Sequence, residues 1–357
     1  MKIVIVAGLV VGVSAFVFNT FNSLQKADPI SRPENSSPST EEQTAIEPVD
    51  IQSQAIFIPY WNIPSSSADL SEYDTLIYFG IAPDTNGSLM GDAGLQNVDR
   101  FIQNTSSGKE RMLTVRMLNS EINTAILDDI SHQSTIIGKA IDLANQYGFD
   151  GIVLDLEMSV IPFSHVQHNI TSFISSFAES AQAEDMDFAI TIYGDTFYRG
   201  RPYDIEALGK YVDEMYIMAY DFHKSRGEPG PNFPLDRQSL GDGGSAYPYD
   251  FKHMITDFSS VVSREKLTVI FGMYGYDWTL GEQGLPLKAA KAIPLREIDT
   301  SGAIEDPVSQ EKHVTYTDDE GYRHELWFED EESVDVKIDY LQEQGIGQVG
   351  YWVWGYF

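Results

Sequence analysis

Eight short apolar runs, separated by amphipathic or polar stretches, constrain this chain more than any single residue does. They are AIFIPYW from Ala55, TLIYFGIA from Thr75, MLTVRML from Met112, GIVLDLE from Gly151, DFAITIY from Asp187, EMYIMAY from Glu214, LTVIFGMYG from Leu267 and VGYWVWG from Val349. Their length and their branched and aromatic content suit strands covered on both faces. Helical patterns fill several gaps. STIIGKAIDLANQYG, 134–148, has apolar residues at helical spacing and Gly148 as its stop; NITSFISSFAESAQAED, 169–185, and SVDVKIDYLQEQG, 333–345, read the same way. Strand and helix in alternation imply a parallel sheet. About eight such units in roughly 300 residues predict an α/β fold, a closed (β/α)8 TIM barrel, over an open doubly wound sheet.

Two long stretches interrupt the alternation. Residues 222–250, after the sixth run, are rich in Gly, Pro and Asp. Residues 279–328, after the seventh, include HVTYTDDEGYRHELWF, whose strand-like halves flank an Asp-Glu-Gly turn and predict a hairpin insertion. Both would lie at the C-terminal face of the barrel, where barrel enzymes keep their active sites.

The chain opens MKIVIVAGLVVGVSAFVF, one Lys before an apolar run from Ile3 to Phe18. Residues 1–24 are expected to be a signal peptide or an N-terminal membrane anchor. QKADPISRPENSSPSTEEQTAIEPVD follows, rich in Pro, Ser and acids, so residues 25–54 are expected to be a flexible tether. The folded domain is expected at 55–357, outside the cytoplasm, secreted or membrane-tethered. With 23 Lys and Arg against 54 Asp and Glu, the net charge is −31, which repels phosphate backbones and argues against nucleic acid. The absence of cysteine excludes thiol catalysis, disulfides and cysteine-ligated structural zinc.

The fourth run poses the chemical question. GFDGIVLDLEM, 148–158, is a buried strand by its Ile152, Val153, Leu154 and Leu156, yet it carries Asp155 and Glu157. Burying a charge is costly unless it is paired or its pKa shifts. Alternate side chains share a face of a strand, so Val153, Asp155 and Glu157 point the same way, with Asp155 one layer below Glu157. Two carboxylates this close share a proton, and the outer one is expected to carry the raised pKa. A Glu held protonated near neutral pH is a general acid.

FDGIVLDLE resembles the fourth-strand signature of glycoside hydrolase family 18, Asp-Gly-x-Asp-x-Asp-x-Glu. YVDEMYIMAYDFH resembles that family's sixth strand, which ends Met-x-Tyr-Asp, here Met218, Tyr220 and Asp221. FGMYGYDW resembles its seventh strand, and HELWFEDEESVDVKIDYLQEQGIGQVGYWVWG its closing segment, with Trp354 as the core Trp. The nearest likeness is to the small bacterial peptidoglycan and spore-wall glycosidases. The resemblance implies a substrate-assisted retaining mechanism in which the substrate's N-acetyl group is the nucleophile. It implies Glu157 as general acid, Asp155 and Tyr220 orienting the acetamide, and Asp221 on the distorted sugar. Trp354 would be the floor beneath that sugar, with Met218 and Tyr60 lining the cleft. The implied partner is a β-linked glycan containing N-acetylglucosamine, of chitin or peptidoglycan type. A monomer is expected, with no cofactor and no metal.

Two departures bear on that reading. The signature's middle Asp is Val153, so Asp155 is expected to lose an inner partner and stay turned toward Glu157. The third run also lacks the family's Ser-x-Gly-Gly. A catalytically weak or inactive glycan-binding relative is therefore the alternative. An unrelated barrel enzyme using Asp155, Glu157 and Asp221 on a divalent metal is the third reading.

Overall fold

The computed structural model describes residues 46–106, 108–158, 163–238 and 245–357. Thirteen strands follow in chain order among the described residues. They are β1 (Ser53–Pro59), β2 (Thr75–Ile81), β3 (Glu110–Met117), β4 (Gly151–Leu156), β5 (Asp187–Tyr193), β6 (Glu214–Ala219), β7 (Leu267–Gly272), β8 (Tyr274–Leu280), β9 (Lys291–Pro294), β10 (Ile304–Glu305), β11 (Lys312–Thr317), β12 (Arg323–Phe328) and β13 (Gln348–Trp352). The helices are α1 (Ala93–Gln96), α2 (Val98–Asn104), α3 (Ser120–Leu127), α4 (Ile130–Tyr147), α5 (Ser164–Gln182), α6 (Thr196–Arg199), α7 (Ile205–Leu208), α8 (Phe251–Ser259) and α9 (Glu331–Glu343).

The eight apolar runs form the barrel that their alternation predicts. Parallel pairing runs β1-β13-β7-β6-β5-β4-β3-β2 and closes on itself. Side chains sort by parity into two apolar layers. Phe57, Ile77, Met112, Val153, Ala189, Tyr216 and Ile270 fill the barrel. Ile58, Leu113, Ile152, Leu154, Ile190 and Ile217 face outward and meet the helices through Phe101, Phe173, Phe177 and Phe258. Each large apolar side chain so buried contributes about 1.5–3 kcal/mol. α4 starts at the Asp129 cap, whose carboxylate accepts from Ser131 N at 2.8 Å, and stops at Gly148, whose φ of 65° suits glycine.

The folded unit begins earlier than residue 55. β1 starts at Ser53, and the unit runs Ile46–Phe357. Residues 46–52 belong to it because their backbone is bonded to the barrel: Val49 N donates to Gln342 O at 3.1 Å and Gln52 N to Gly347 O at 2.7 Å. The N-terminal segment expected as signal or anchor, 1–24, and the tether up to residue 45 lie outside the described residues. Among the described residues no helix is long and apolar enough to cross a membrane.

The insertion after β7 is larger than a hairpin. β11 and β12 pair as the sequence predicts, with Thr317 opposite Arg323, but within a five-stranded antiparallel sheet ordered β10-β11-β12-β8-β9. The run LTVIFGMYG is split, its first six residues in the barrel and Tyr274 and Gly275 in the insertion. α9 holds this sheet down. Asp330 and Ser333 form its capping box. One turn on, the fully buried Lys337 reaches Glu311 at 2.9 Å and Glu329 at 2.6 Å, both also fully buried.

Candidate active site

β4 obeys the predicted parity. Ile152, Leu154 and Leu156 pack outward, while Val153 lies in the barrel interior and Asp155, 3% exposed, sits above it. Two side chains from neighbouring elements fix where the strand ends. Asn123 of α3 donates to Met117 O at 2.7 Å and to Glu157 O at 2.9 Å. The hydroxyl of the buried Tyr203 donates to Leu156 O at 2.7 Å and accepts from Met158 N at 2.9 Å.

The two acids have separate partners, both on β5. Thr191 Oγ1 donates a short hydrogen bond to Asp155 Oδ1. Tyr193 OH donates to Glu157 Oε2 at 2.6 Å. Burial first, then the neighbouring Glu157 charge, pushes Asp155 up to about 7 against the opposing pull of Thr191 and Arg116. This corrects one expectation. The raised pKa falls on the inner carboxyl, because it is the one sealed from water. Asp155 has no acid beneath it, but Thr191 bonds it from the side. Beside Val153 in the β3–β4 register stands Thr114, whose buried hydroxyl has no partner among the described residues.

The end of β6 supplies the facing wall. Met218, Tyr220 and Asp221 all line the same cleft as Asp155 and Glu157. Tyr220 can lie close to β7 because that strand ends in Gly272, where a Cβ would meet Tyr220 Cβ at 2.7 Å. Asp221 has a φ of 59°, uncommon for a residue with a side chain. Its backbone N–H is held by Asn232 Oδ1 at 2.8 Å. Its Oδ1 accepts from Tyr276 OH at 2.9 Å and, over a shorter distance, from Tyr274 OH. Asn232 is itself placed by Glu311, which accepts the backbone N–H groups of Asn232 and, at 2.7 Å, Phe233. The insertion thus reaches the site both from above, through Tyr274 and Tyr276, and from behind, through Glu311.

The cleft encloses about 330 Å³. Its apolar floor is Trp352, which lies nearly parallel to Tyr220 with centroids 6.5 Å apart. Trp354, expected in that place, is not among the lining side chains. The strand ladder ends at Trp352; Trp354 N then donates to Phe57 O at 2.9 Å, and its ring packs partly buried against the outer core. Tyr60 also stands outside the lining, behind Trp61, whose edge it meets at 4.9 Å, and under the Arg116 guanidinium at 5.0 Å. Trp61 and Arg116 line the cleft in its stead.

Several site residues escaped the sequence reading. Thr191 and Tyr193 are polar at alternate positions of DFAITIY, the same signal that singled out Asp155 and Glu157. Tyr274 and Tyr276 alternate likewise in GMYGYDW. Asn232 gives no such signal, because its role rests on contacts distant in sequence. Among the described residues no three His, Asp or Glu side chains come together as a metal ion would require.

A parallel barrel with two stacked carboxyls at its C-terminal end, an aromatic floor and a tyrosine-lined wall has the architecture of a carbohydrate-cleaving barrel enzyme. Comparison gives the family. Residues 56–356 match the model of glycosyl hydrolases family 18, and the chain belongs to that family of glycoside hydrolases. It is 26% identical to the cortical fragment-lytic enzyme of Bacillus subtilis over 326 residues, 86% of this chain and 72% of that one. It spans about half the length of several other curated relatives it matches. Among solved structures, the Bacillus cereus spore cortex-lytic enzyme SleL aligns at TM-score 0.66 and 22% identity, covering 85% of this chain and 71% of that one. A Group IV chitinase of Ostrinia furnacalis aligns at TM-score 0.73 and 15% identity, covering 85% and 92%. These two likenesses are of fold.

Proposed function

We propose that this protein hydrolyses β-linked glycans containing N-acetylglucosamine, of the peptidoglycan type, by a substrate-assisted retaining mechanism. The stacked Asp155–Glu157 pair at the mouth of the barrel carries the reading. Tyr193 occupies Glu157 Oε2, which leaves Oε1 to carry the proton. In the first step that proton passes to the glycosidic oxygen as the C1–O bond breaks and the acetamide oxygen bonds to C1, giving an oxazolinium. Asp155, buried and able to hold or release a proton near pH 7, orients the acetamide N–H and balances its developing charge. Tyr220 hydrogen-bonds the acetamide from the facing wall, and Asp221, fixed by its two tyrosines, holds the distorted ring over Trp352. Met218 lines the acetamide pocket. In the second step Glu157 takes a proton from water as the water oxygen bonds to C1 and the ring opens to the free acetamide. The anomeric configuration is retained.

We take the peptidoglycan type over chitin from the curated relatives named cortical fragment-lytic enzymes. The N-terminal segment 1–24 would deliver the barrel across the membrane, as a cleaved signal or a retained anchor, and the tether would let it work there as a monomer. The test is turnover of a fluorogenic chitobiose or chitotriose substrate by the full-length protein beside Glu157→Gln. We expect turnover in the first and a loss of about 100-fold or more in the second, since general acid catalysis contributes roughly 10²–10⁴. Equal turnover would overturn the assignment.

A further inference from the structure

We propose that Arg116 makes the cleft selective for a sugar carrying a carboxylate on a short side branch, as the lactyl ether of muramic acid does. This rests on the glycosidase reading above and extends it to substrate choice. In a chain of net charge −31, Arg116 is the one Lys or Arg lining the cleft among the described residues. It is the last inward-facing residue of β3, beside Asp155 in register, where a barrel interior ordinarily has no use for a charge.

Its contacts hold the guanidinium and leave one edge open. Nε and Nη2 both donate to Gly80 O, at 3.1 and 2.9 Å, and Nη2 lies 3.4 Å from Asp92 Oδ2. Asp92 is already engaged, its Oδ1 capping α1 through Gly94 N and Leu95 N. The plane is clamped between aromatic faces, 5.0 Å from Tyr60 and 5.5 Å from Phe79. Nη1 has no hydrogen-bond partner among the described residues. A fixed guanidinium with a free edge is preorganised for a carboxylate.

The cleft gives the branch somewhere to go. Arg116 and Leu118 line the catalytic cleft and also a second hollow of about 290 Å³, which Asp92 lines too, so a carboxylate is kept to the cleft side of the guanidinium. A sugar seated over Trp352 could set a short substituent against Arg116 within the catalytic cleft. Chitin has no such group. The negative groups that face Arg116 are Asp92 and Asp155. A substrate carboxylate must therefore meet the open Nη1 edge, the side turned from Asp92.

The experiment compares two substrates made from the same glycan strands. Peptidoglycan strands are stripped of their peptides, leaving the lactyl carboxylate, and half are reduced at that carboxylate to the alcohol. The full-length protein should cleave the unreduced strands with kcat/KM about tenfold higher or more, the size of one charge-assisted contact, mostly through KM. Arg116→Gln should bring the ratio close to one. A purely structural Arg116 would lower both rates equally and leave the ratio unchanged, which would overturn the proposal. So would a wild-type ratio of one. Should Arg116→Gln not fold, Arg116→Lys, which drops the planar fork, should narrow the ratio severalfold, and an undiminished ratio counts against the proposal. If neither strand is cleaved, the glycosidase reading fails separately; calorimetric binding of both strands then decides, equal affinity overturning the carboxylate subsite.

Discussion

Lys337→Met tests whether the insertion is held by charge. The three groups of the triad are fully buried, with Nζ 2.9 Å from Glu311 Oε1 and 2.8 and 2.6 Å from the two oxygens of Glu329. Methionine keeps the volume of the lysine stem, so packing changes little. The charge balance changes a great deal. Glu311 keeps two backbone donors, Asn232 N and Phe233 N, but Glu329 keeps only the Ser333 hydroxyl at 2.6 Å. Breaking a buried pair from one side costs about 3–5 kcal/mol. At roughly 2–4 °C per kcal/mol, the expected fall in Tm is about 6–20 °C near pH 8.

The pH dependence separates charge from packing. Burial, and then Glu311 against the pull of Lys337, raises Glu329 from 4.5 to about 8. A carboxyl with a raised folded pKa binds a proton that the unfolded chain has released, so its contribution falls as pH rises from about 4.5 to 8. Without Lys337 the shift is larger still. The deficit of the variant should therefore be greatest above pH 8 and shrink toward pH 5, where Glu329 is protonated. Thermal unfolding of both proteins at pH 5, 7 and 9 reads this out. A deficit equal at all three pH values would mean that the lysine stem, and not its charge, holds the sheet. Because Glu311 also places Asn232 beneath Asp221, kcat should fall at temperatures well below the new Tm.

Tyr193→Phe removes the hydroxyl that holds Glu157 Oε2, and kcat should fall roughly ten- to hundredfold, the worth of one hydrogen bond to a charged group, with KM little changed; unchanged kcat would show that Glu157 needs no orientation from β5. Asp155, raised from 3.8 to about 7 by burial and by Glu157, should give the kcat/KM profile an inflection near pH 7 and make stability fall as pH rises from about 4 to 7. Asp155→Asn should abolish the inflection and flatten the stability slope, both readable by kinetics and thermal melts. Trp352→Ala should raise KM about tenfold or more through loss of the floor, whereas Trp354→Ala should lower Tm with little effect on KM, so Michaelis profiles of the pair decide which tryptophan is the floor.

The barrel was legible because its strands are buried on both faces. Doubly covered strands must be apolar throughout, and eight such runs leave few topologies open. The two acids were legible for the converse reason: at a position where the fold demands apolar groups, a carboxyl stands out. Legibility ended where burial stopped discriminating. The residues Leu267 to Gly275 read as one apolar run, yet the chain leaves the barrel at Gly272 and starts an antiparallel strand two residues later, since both sheets bury aromatic side chains alike. Trp352 and Trp354 share a parity and a composition, so choosing between them needs the point where the ladder ends. Spacing placed Asp155 a layer below Glu157, but the raised pKa was expected on the outer acid because the mutual charge was weighed above burial, whereas burial is the larger cause. Asp155 is the deeper group, and depth decided which pKa rose.

The same reasoning explains why Val153 need not cost the site its chemistry. A third acid beneath Asp155 would compete for its proton in a water-free interior, and that proton would have to be shared three ways. Here the layer below is Val153 with the unpaired Thr114 hydroxyl beside it, and the hydrogen bond to Asp155 comes sideways from Thr191 on β5. That donor cannot take a proton from Asp155 at neutral pH; it can only orient the carboxyl. β4 therefore carries two ionisable carboxyls, met by two hydroxyl donors on one neighbouring strand, each donor assigned to one acid. Thr191 and Tyr193 alternate on β5 as Asp155 and Glu157 do on β4, so one strand pairing positions both contacts. A shift of that register by one residue would turn both hydroxyls to the outer face and unseat both acids together.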